Sequence, residues 1–350
     1  MQNRKQLDSY SLLIVAQYLR QEEDFLNVMC VCKKFEETTD KFFWNPTESL
    51  RLFHNLQTQY IYKKKQPIDH DIENHLILYP VTVKEALKLL HNKTTKCKTV
   101  IYTKEEQKKW KNKIPECTTV IGEDCFLNTK HTSIEIPSGL TSIEKNGFCG
   151  CSLRSFTFPK HFKTMKEGSF SQCIYLKQIE LPITITEIPV LCFNGCTSLS
   201  SITLPETLTK IEDKSFCGCS SLKNITIPQS VEYIGNAVFS NCVNLQTMKL
   251  PSKLTYLGNN CFDDCTSLKN IELPSTLQTL GKGCFFDCSS LDNIIIPSTI
   301  TSLGYKCFCN CIHIYHITIY STLKTFGKAS FSGCYQLRDI VDLPEQCYYY

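Results

Sequence analysis

The chain has 350 residues, of which 42% are hydrophobic and 21% charged, the balance of a folded globular protein rather than a disordered one. No apolar run approaches the ~18 residues of a membrane span, and Arg4 and Lys5 are followed by too short an apolar stretch for a secretory leader. The net charge of +4 divides into 20 Lys/Arg against 14 Asp/Glu over residues 1–113 and 18 against 20 over 114–350, so the larger part lacks the basic excess of a nucleic-acid binder.

Residues 1–50 read as two or three short helices. Leu12, Leu13, Ala16 and Leu19 share one helical face, and the acidic group ending at Asp24 opens a second helix carrying Phe25, Val28, Met29 and Cys32. On these residues alone the segment is a helical cap for whatever follows it. The segment also resembles an F-box. Leu7, Leu12, Leu13 and Leu19 match its early apolar positions, Asp24-Phe25 its acidic-apolar step, Val31-Cys32-Lys33 its Val-Cys-Lys/Arg element, and Trp44 its late Trp. It departs at Asp8, where Pro is usual, and at Val15-Ala16, where Ile-Leu is. The resemblance implies docking to the Skp-type adaptor of a cullin ubiquitin ligase through Leu12, Leu13, Leu19, Val31, Cys32 and Lys33.

Residues 51–113 form a poorly defined helical and loop connector. Within it, 83–92 is expected as a helix, 98–102 as a strand, and the Lys-rich 104–113 as a loop or a decorated first coil.

From residue 114 to 350 the sequence repeats. Phenylalanines stand at 126, 148, 170, 193, 216, 239, 262, 285, 308 and 331, and prolines keep step from Pro137 to Pro297. A cysteine follows each Phe by three from Cys151 to Cys334. An unbroken period of 22 or 23 residues signals a solenoid, whose units bury their apolar faces only by stacking. In the unit at 273–295 and its continuation, Ile294 and Ile296 alternate with Asn293 and Ile295, the pattern of a half-buried strand. Pro ends the strand, Leu277 and Leu280 point inward, and Gly281 is read as permitting a bend. Phe285 and Cys288 fit one helical or 3₁₀ turn, completing a three-sided coil. Ten coils at ~4.8 Å spacing would extend about 50 Å.

The pattern LxxIxLPxxLxxIGxxxFxxCxx resembles the BspA-like, or Treponema-type, leucine-rich repeats. The expected fold is therefore α+β: a solenoid of about ten 23-residue coils behind a small helical domain. The resemblance implies a protein that binds other macromolecules, in some members as a surface adhesin.

The 22 cysteines raise a question of chemistry, since pairs such as Cys261/Cys265, Cys192/Cys196, Cys284/Cys288 and Cys307/Cys311 are spaced like metal ligands. No second pair or His stands at finger-like spacing within a unit, and the first member becomes Ser169, Ser215 or Val238 in other coils. The regular cysteines are read as a buried ladder, the first members as accidental neighbours, and Asp263 and Asp264 as solvent-facing. Disulfides between neighbouring rungs stay geometrically open, and a reducing compartment would keep the thiols.

No phosphate loop, His-Glu-x-x-His or Gly-x-Ser-x-Gly occurs, so no catalytic residue, metal ligand or cofactor is assigned. Ligand contact is expected on the outward strand positions Ser201, Thr203, Asn224, Thr226, Thr247, Lys249, Asn270, Glu272, Asn293, Ile295, His316 and Thr318, a face for a protein, or for a glycan. Cys347, fourth from the end, occupies the position of a prenylated cysteine, although Asp342 and Glu345 oppose a polybasic second signal. The sequence thus reads as a non-enzymatic, cytoplasmic protein-binding scaffold or receptor. An F-box substrate receptor and a membrane-surface adhesin, exported by a non-classical route, are the alternatives.

Overall fold

A computed structural model describes residues 14–19, 21–31, 42–53, 55–91, 94–320, 322–337 and 344–348. The chain divides into two compact units, residues 1–101 with 117–119, and 102–116 with 120–350.

In the first unit, helix α1 (Glu22–Val31) carries Glu22, Glu23 and Asp24 in its first turn, where the helix dipole favours anions. The Asp24 carboxylate accepts the Gln21 N–H at 3.3 Å. Ala16, Phe25, Phe42 and Phe53 form a core, with Leu19, Trp44, Leu52 and Leu56 packed around it. The three Phe rings meet edge to face at 5.4–5.9 Å.

Strands β1 (Thr58–Ile61) and β2 (Asn74–Ile77) then pair in parallel. After β3 (Val81–Thr82) come α2 (Val83–Leu89), β4 (Thr95–Cys97) and β5 (Val100–Tyr102). β4 extends the first sheet beside β2, and β5 pairs with β3, again in parallel. The expected helix and strand are present here, and parallel stacking starts well before the regular period. Thr82 and Glu85 cap α2 reciprocally, each side chain bonding the other's backbone N–H.

In the second unit, residues 104–110 form helix α3 (Lys104–Trp110) rather than a loop. Thr103 and Glu106 make a second capping box, a signal legible as Thr-x-x-Glu but overshadowed by the lysines.

The array follows as β6 (Val120–Ile121), β7 (Ser142–Ile143), β8 (Ser155–Phe156), β9 (Thr164–Met165), β10 (Gln178–Glu180), β11 (Glu187–Ile188) and β12 (Ser201–Thr203). It continues through β13 (Lys210–Ile211), β14 (Asn224–Thr226), β15 (Tyr233–Ile234), β16 (Thr247–Lys249) and β17 (Tyr256–Leu257). The last strands are β18 (Asn270–Glu272), β19 (Thr279–Leu280), β20 (Asn293–Ile296) and β21 (His316–Ile319). Each coil contributes to two parallel ladders. The first-face strands pair as β8-β10-β12, β14-β16-β18 and β20-β21, while short strands pair as β6-β7-β9 and β11-β13-β15-β17-β19. Register repeats by one coil, so Ile188, Ile211, Ile234, Leu257 and Leu280 fall in one buried column.

The third side is a relay of β-turns, not the expected helical turn. Cys265 N–H donates to Phe262 O at 3.1 Å and Leu268 N–H to Cys265 O at 3.0 Å. Positive-φ residues are built into the relay, Asn260 (φ 53°) opening one turn and Asp264 (φ 59°) within the Phe262–Cys265 turn, and this backbone departs from a helix. The intervening donors reach the next coil: Phe262 N–H bonds Cys284 O and Asp264 N–H bonds Phe286 O. The turn side is therefore hydrogen-bonded between coils as the strands are.

Inside, the Phe rings from Phe126 to Phe331 stack with neighbouring centroids 5.0–5.7 Å apart and planes within 13°. Gly281 is needed for a different reason from the bend expected of it. Its φ is not left-handed; a Cβ there would strike the backbone of Gly258 and Asn259 in the preceding coil. Gly235, Gly258, Gly281, Gly304 and Gly327 share this column, where coil backbones pass too closely for a side chain. Gly258→Ala is expected to lower stability by about 1–3 kcal/mol through overpacking. Urea unfolding checks this, with exposed Thr279→Ala as a near-neutral comparison.

Candidate binding face

The candidate face is assembled by the first-face strands. Alternation buries the central residue of each strand and turns its neighbours outward: Ile225, Met248 and Ile271 are buried, while Asn224, Thr226, Thr247, Lys249, Asn270 and Glu272 are exposed. Ser201 and Thr203 in β12, Asn293 and Ile295 in β20, and His316 in β21 are likewise exposed. Thr318 departs from the expectation and is half-buried.

Parallel register brings these residues into columns. Asn224, Thr247 and Asn270 align, as do Thr226, Lys249 and Glu272; Asn293 aligns with His316, and Ile295 with Thr318. The polar columns pair internally: Thr247 Oγ1 donates to Asn224 Oδ1 at 3.0 Å, and Asn293 Nδ2 to Asn270 Oδ1 at 3.2 Å. These bonds hold the amides in a common orientation.

Sequence reasoning missed a groove of about 770 Å³ over the earlier coils, lined by Phe158, Pro159, Pro182, Ile183 and Pro205 among others. Its signal was the segment Ser155-Phe-Thr-Phe-Pro159, where Phe156 and Phe158 replace the aliphatic residues of later coils. Phe158 meets Phe156 at 4.8 Å and Phe162 at 4.7 Å, and Ile183 beside it is 72% exposed.

The cysteines lie behind this face. From Cys173 to Cys334, each thiol of the regular column donates to the Phe carbonyl of the preceding coil at 3.0–3.3 Å. The same carbonyls accept the backbone N–H of their own coil's cysteine, as Phe239 O does from Cys242. One carbonyl thus satisfies both coils. The first members of the pairs are not accidental neighbours. Cys192, Cys261, Cys284 and Cys307 occupy a second column, fully buried like Ser169, Ser215 and Val238 on its other rungs. Asp263 and Asp264 are half-buried rather than solvent-facing; burial raises both carboxyl pKa values, and Asp287 adds to the effect. Among the described residues no three side chains of metal-ligating type converge, and the described cysteines are free thiols.

Of the F-box-like positions, Leu7, Leu12, Leu13, Cys32 and Lys33 lie outside the described residues. Leu19 packs against the aromatic core, and Val31 closes α1. Cys347 is buried at the end of a 3₁₀ turn, Glu345–Cys347, and its carbonyl accepts the Phe331 N–H at 2.8 Å. In the folded chain that thiol is inside the coil stack and not on an exposed tail.

A family model described as BspA type leucine rich repeat region, in 6 copies, matches residues 119–245 and 209–338, more than half of the chain. The chain belongs to the BspA-type leucine-rich repeat family. Solved structures similar to this BspA-type chain include a leucine-rich cell surface protein from Faecalibacterium prausnitzii, 24% identical over 71% of this chain and 80% of that one, with TM-score 0.48. A leucine-rich repeat protein from Bacteroides ovatus is 21% identical over 81% and 78%, with TM-score 0.49. The Treponema pallidum leucine-rich repeat protein is 28% identical over 53% and 79%, with TM-score 0.38. No curated protein matches the sequence.

The cysteines give this BspA-type array a pH dependence. Burial pushes the Cys196 and Cys307 thiols up to about 12 from an ordinary 9.0. The folded chain keeps these protons where the unfolded chain loses them, so their stabilisation is complete below pH 9.0 and is lost as pH rises toward 12. Unfolding free energies from urea titrations are expected to be level with respect to these thiols below pH 9.0 and to fall above it, by up to about 1.4 kcal/mol per thiol per pH unit. Substituting Ala at both positions should make that fall shallower without removing it, because burial also raises Cys173, Cys219, Cys265 and Cys288.

Proposed function

We propose that the chain is a non-enzymatic binding protein that takes a protein partner on the outward face of its first-face strands. The observation carrying this is the exposed set of register-aligned polar columns, Ser201 through His316, on a frame held from behind by the Phe and Cys ladders. The columns offer amides, hydroxyls and isolated charges, with no acid, base and nucleophile brought together as catalysis requires. The groove beside Phe158 gives the same face an apolar anchor point. The buried free thiols support residence in a reducing compartment.

The test is steric. Ser201→Tyr with Asn224→Tyr should abolish capture of proteins that the unmodified chain retains, while Thr279→Tyr on the short-strand side should not. Equal capture by all three would remove the strand face from the reading.

A second reading, the F-box receptor, is favoured by a separate observation. Ile14, Val15, Tyr18, Leu26 and Phe43 are exposed on the same unit whose core holds Ala16 and Phe25. Apolar side chains left exposed on the helical segment of this unit suit docking to an adaptor. Purified Skp-type adaptor should co-elute with the chain, and Tyr18→Asp with Leu26→Asp should abolish the complex. Separate elution of the unmodified pair would reject the adaptor.

A further inference from the structure

The corner residue immediately before each first-face strand forms a column of its own. It runs Arg154, Lys177, Ser200, Lys223, Gln246, Lys269, Asp292 and Tyr315. Backbone bonds hold it in line: Lys177 N–H to Arg154 O, Ser200 N–H to Lys177 O, Gln246 N–H to Lys223 O, Lys269 N–H to Gln246 O and Asp292 N–H to Lys269 O. Arg154, Lys177, Lys223 and Lys269 are exposed, and none makes an ion pair with a described residue. The array carries slightly more acid than base, yet Glu232, Asp263, Asp264 and Asp287 stand on the short-strand and turn sides. The column carries four cations against the single Asp292, while other cations, among them Lys210, Lys214, Lys282 and Lys306, stand on the short-strand and turn sides.

The adjacent strand column carries no Asp, Glu, Lys or Arg: Ser155, Gln178, Ser201, Asn224, Thr247, Asn270, Asn293 and His316. With Asn224 and Asn270 accepting through Oδ1, their amide N–H₂ groups are presented for donation. The next column over is mixed, with Glu180 and Glu272 at the ends of a run that also holds Thr203, Thr226 and Lys249.

The lysines recur at every second coil, a separation of ~9.6 Å for hydrogen-bonded parallel backbones. A polyproline II helix advances about 9.3 Å per three-residue turn and leaves its own backbone groups unpaired. We infer that this edge binds an acidic segment of the partner protein in polyproline II conformation, with a carboxylate at every third residue. The segment lies along the stack: its carboxylates meet Lys177, Lys223 and Lys269, and its backbone carbonyls accept from the amide column. This rests on the protein-binding reading of the strand face and specifies the chemistry of the partner there.

The experiment uses the full chain and three labelled Pro-rich peptides of equal length and net charge, with Glu at every second, third or fourth position. Fluorescence anisotropy is expected to show the tightest binding for the every-third peptide, weakening as salt rises. Lys177→Gln, Lys223→Gln and Lys269→Gln should each weaken it by about two- to fivefold, the scale of exposed charge pairs. The triple variant should abolish it with its circular dichroism unchanged. Equal binding of the three peptides, or tighter binding of polygalacturonate at matched charge, overturns the inference. If none of the peptides binds while the Ser201→Tyr and Asn224→Tyr chain still loses its captured proteins, this inference falls and the strand-face reading stands.

Discussion

The spacing of hydrogen-bonded parallel backbones governs the regular array. At ~4.8 Å per coil, every residue is held against its counterpart one coil away, so a side chain's environment is chiefly its own column. The Phe carbonyl shows how completely the spacing is used. It accepts its own coil's Cys N–H and the next coil's Cys S–H, and the thiol is small enough to fit beneath the stacked rings. A hydroxyl or methyl in that place would lose either the fit among apolar neighbours or the second bond. The cysteine count is thus a consequence of turn geometry rather than of reactivity.

Features that obey column logic are legible in the sequence. The strand at Ile294 and Ile296, the Pro corners, the Phe ladder and the exposed columns at Asn224 and Thr226 all follow from period and alternation alone. What escaped depends on the approach between coils, which a single unit's sequence does not display. Gly281 reads as a bend in the sequence because one coil gives no sign of the backbone passing beside it. Cys261 looked accidental because Ser215 and Val238 share its column, and burial there accepts any small side chain.

The region before the array was harder for another reason. The strands at Thr58–Ile61, Asn74–Ile77 and Thr95–Cys97 stack in parallel without a constant interval, so no period announces them. In α3, the local Thr103–Glu106 cap decided a segment whose lysines suggested a solvated loop. At the binding face, the columns could be placed but the groove could not, because it arises where Phe156 and Phe158 rearrange one coil's packing.

A stack of identical rungs has no intrinsic stopping point: its last coil offers the same donors that every other coil satisfies with a successor. Here residues 344–348 supply a substitute. Ala329 N–H is met by Gln346 O and Phe331 N–H by Cys347 O, while the Cys347 side chain fills the space a further coil would occupy. The segment acts as a chain terminator. It gives two turn-side donors of the final rung partners from within the same molecule, so less of that rung's backbone stays open to a second copy.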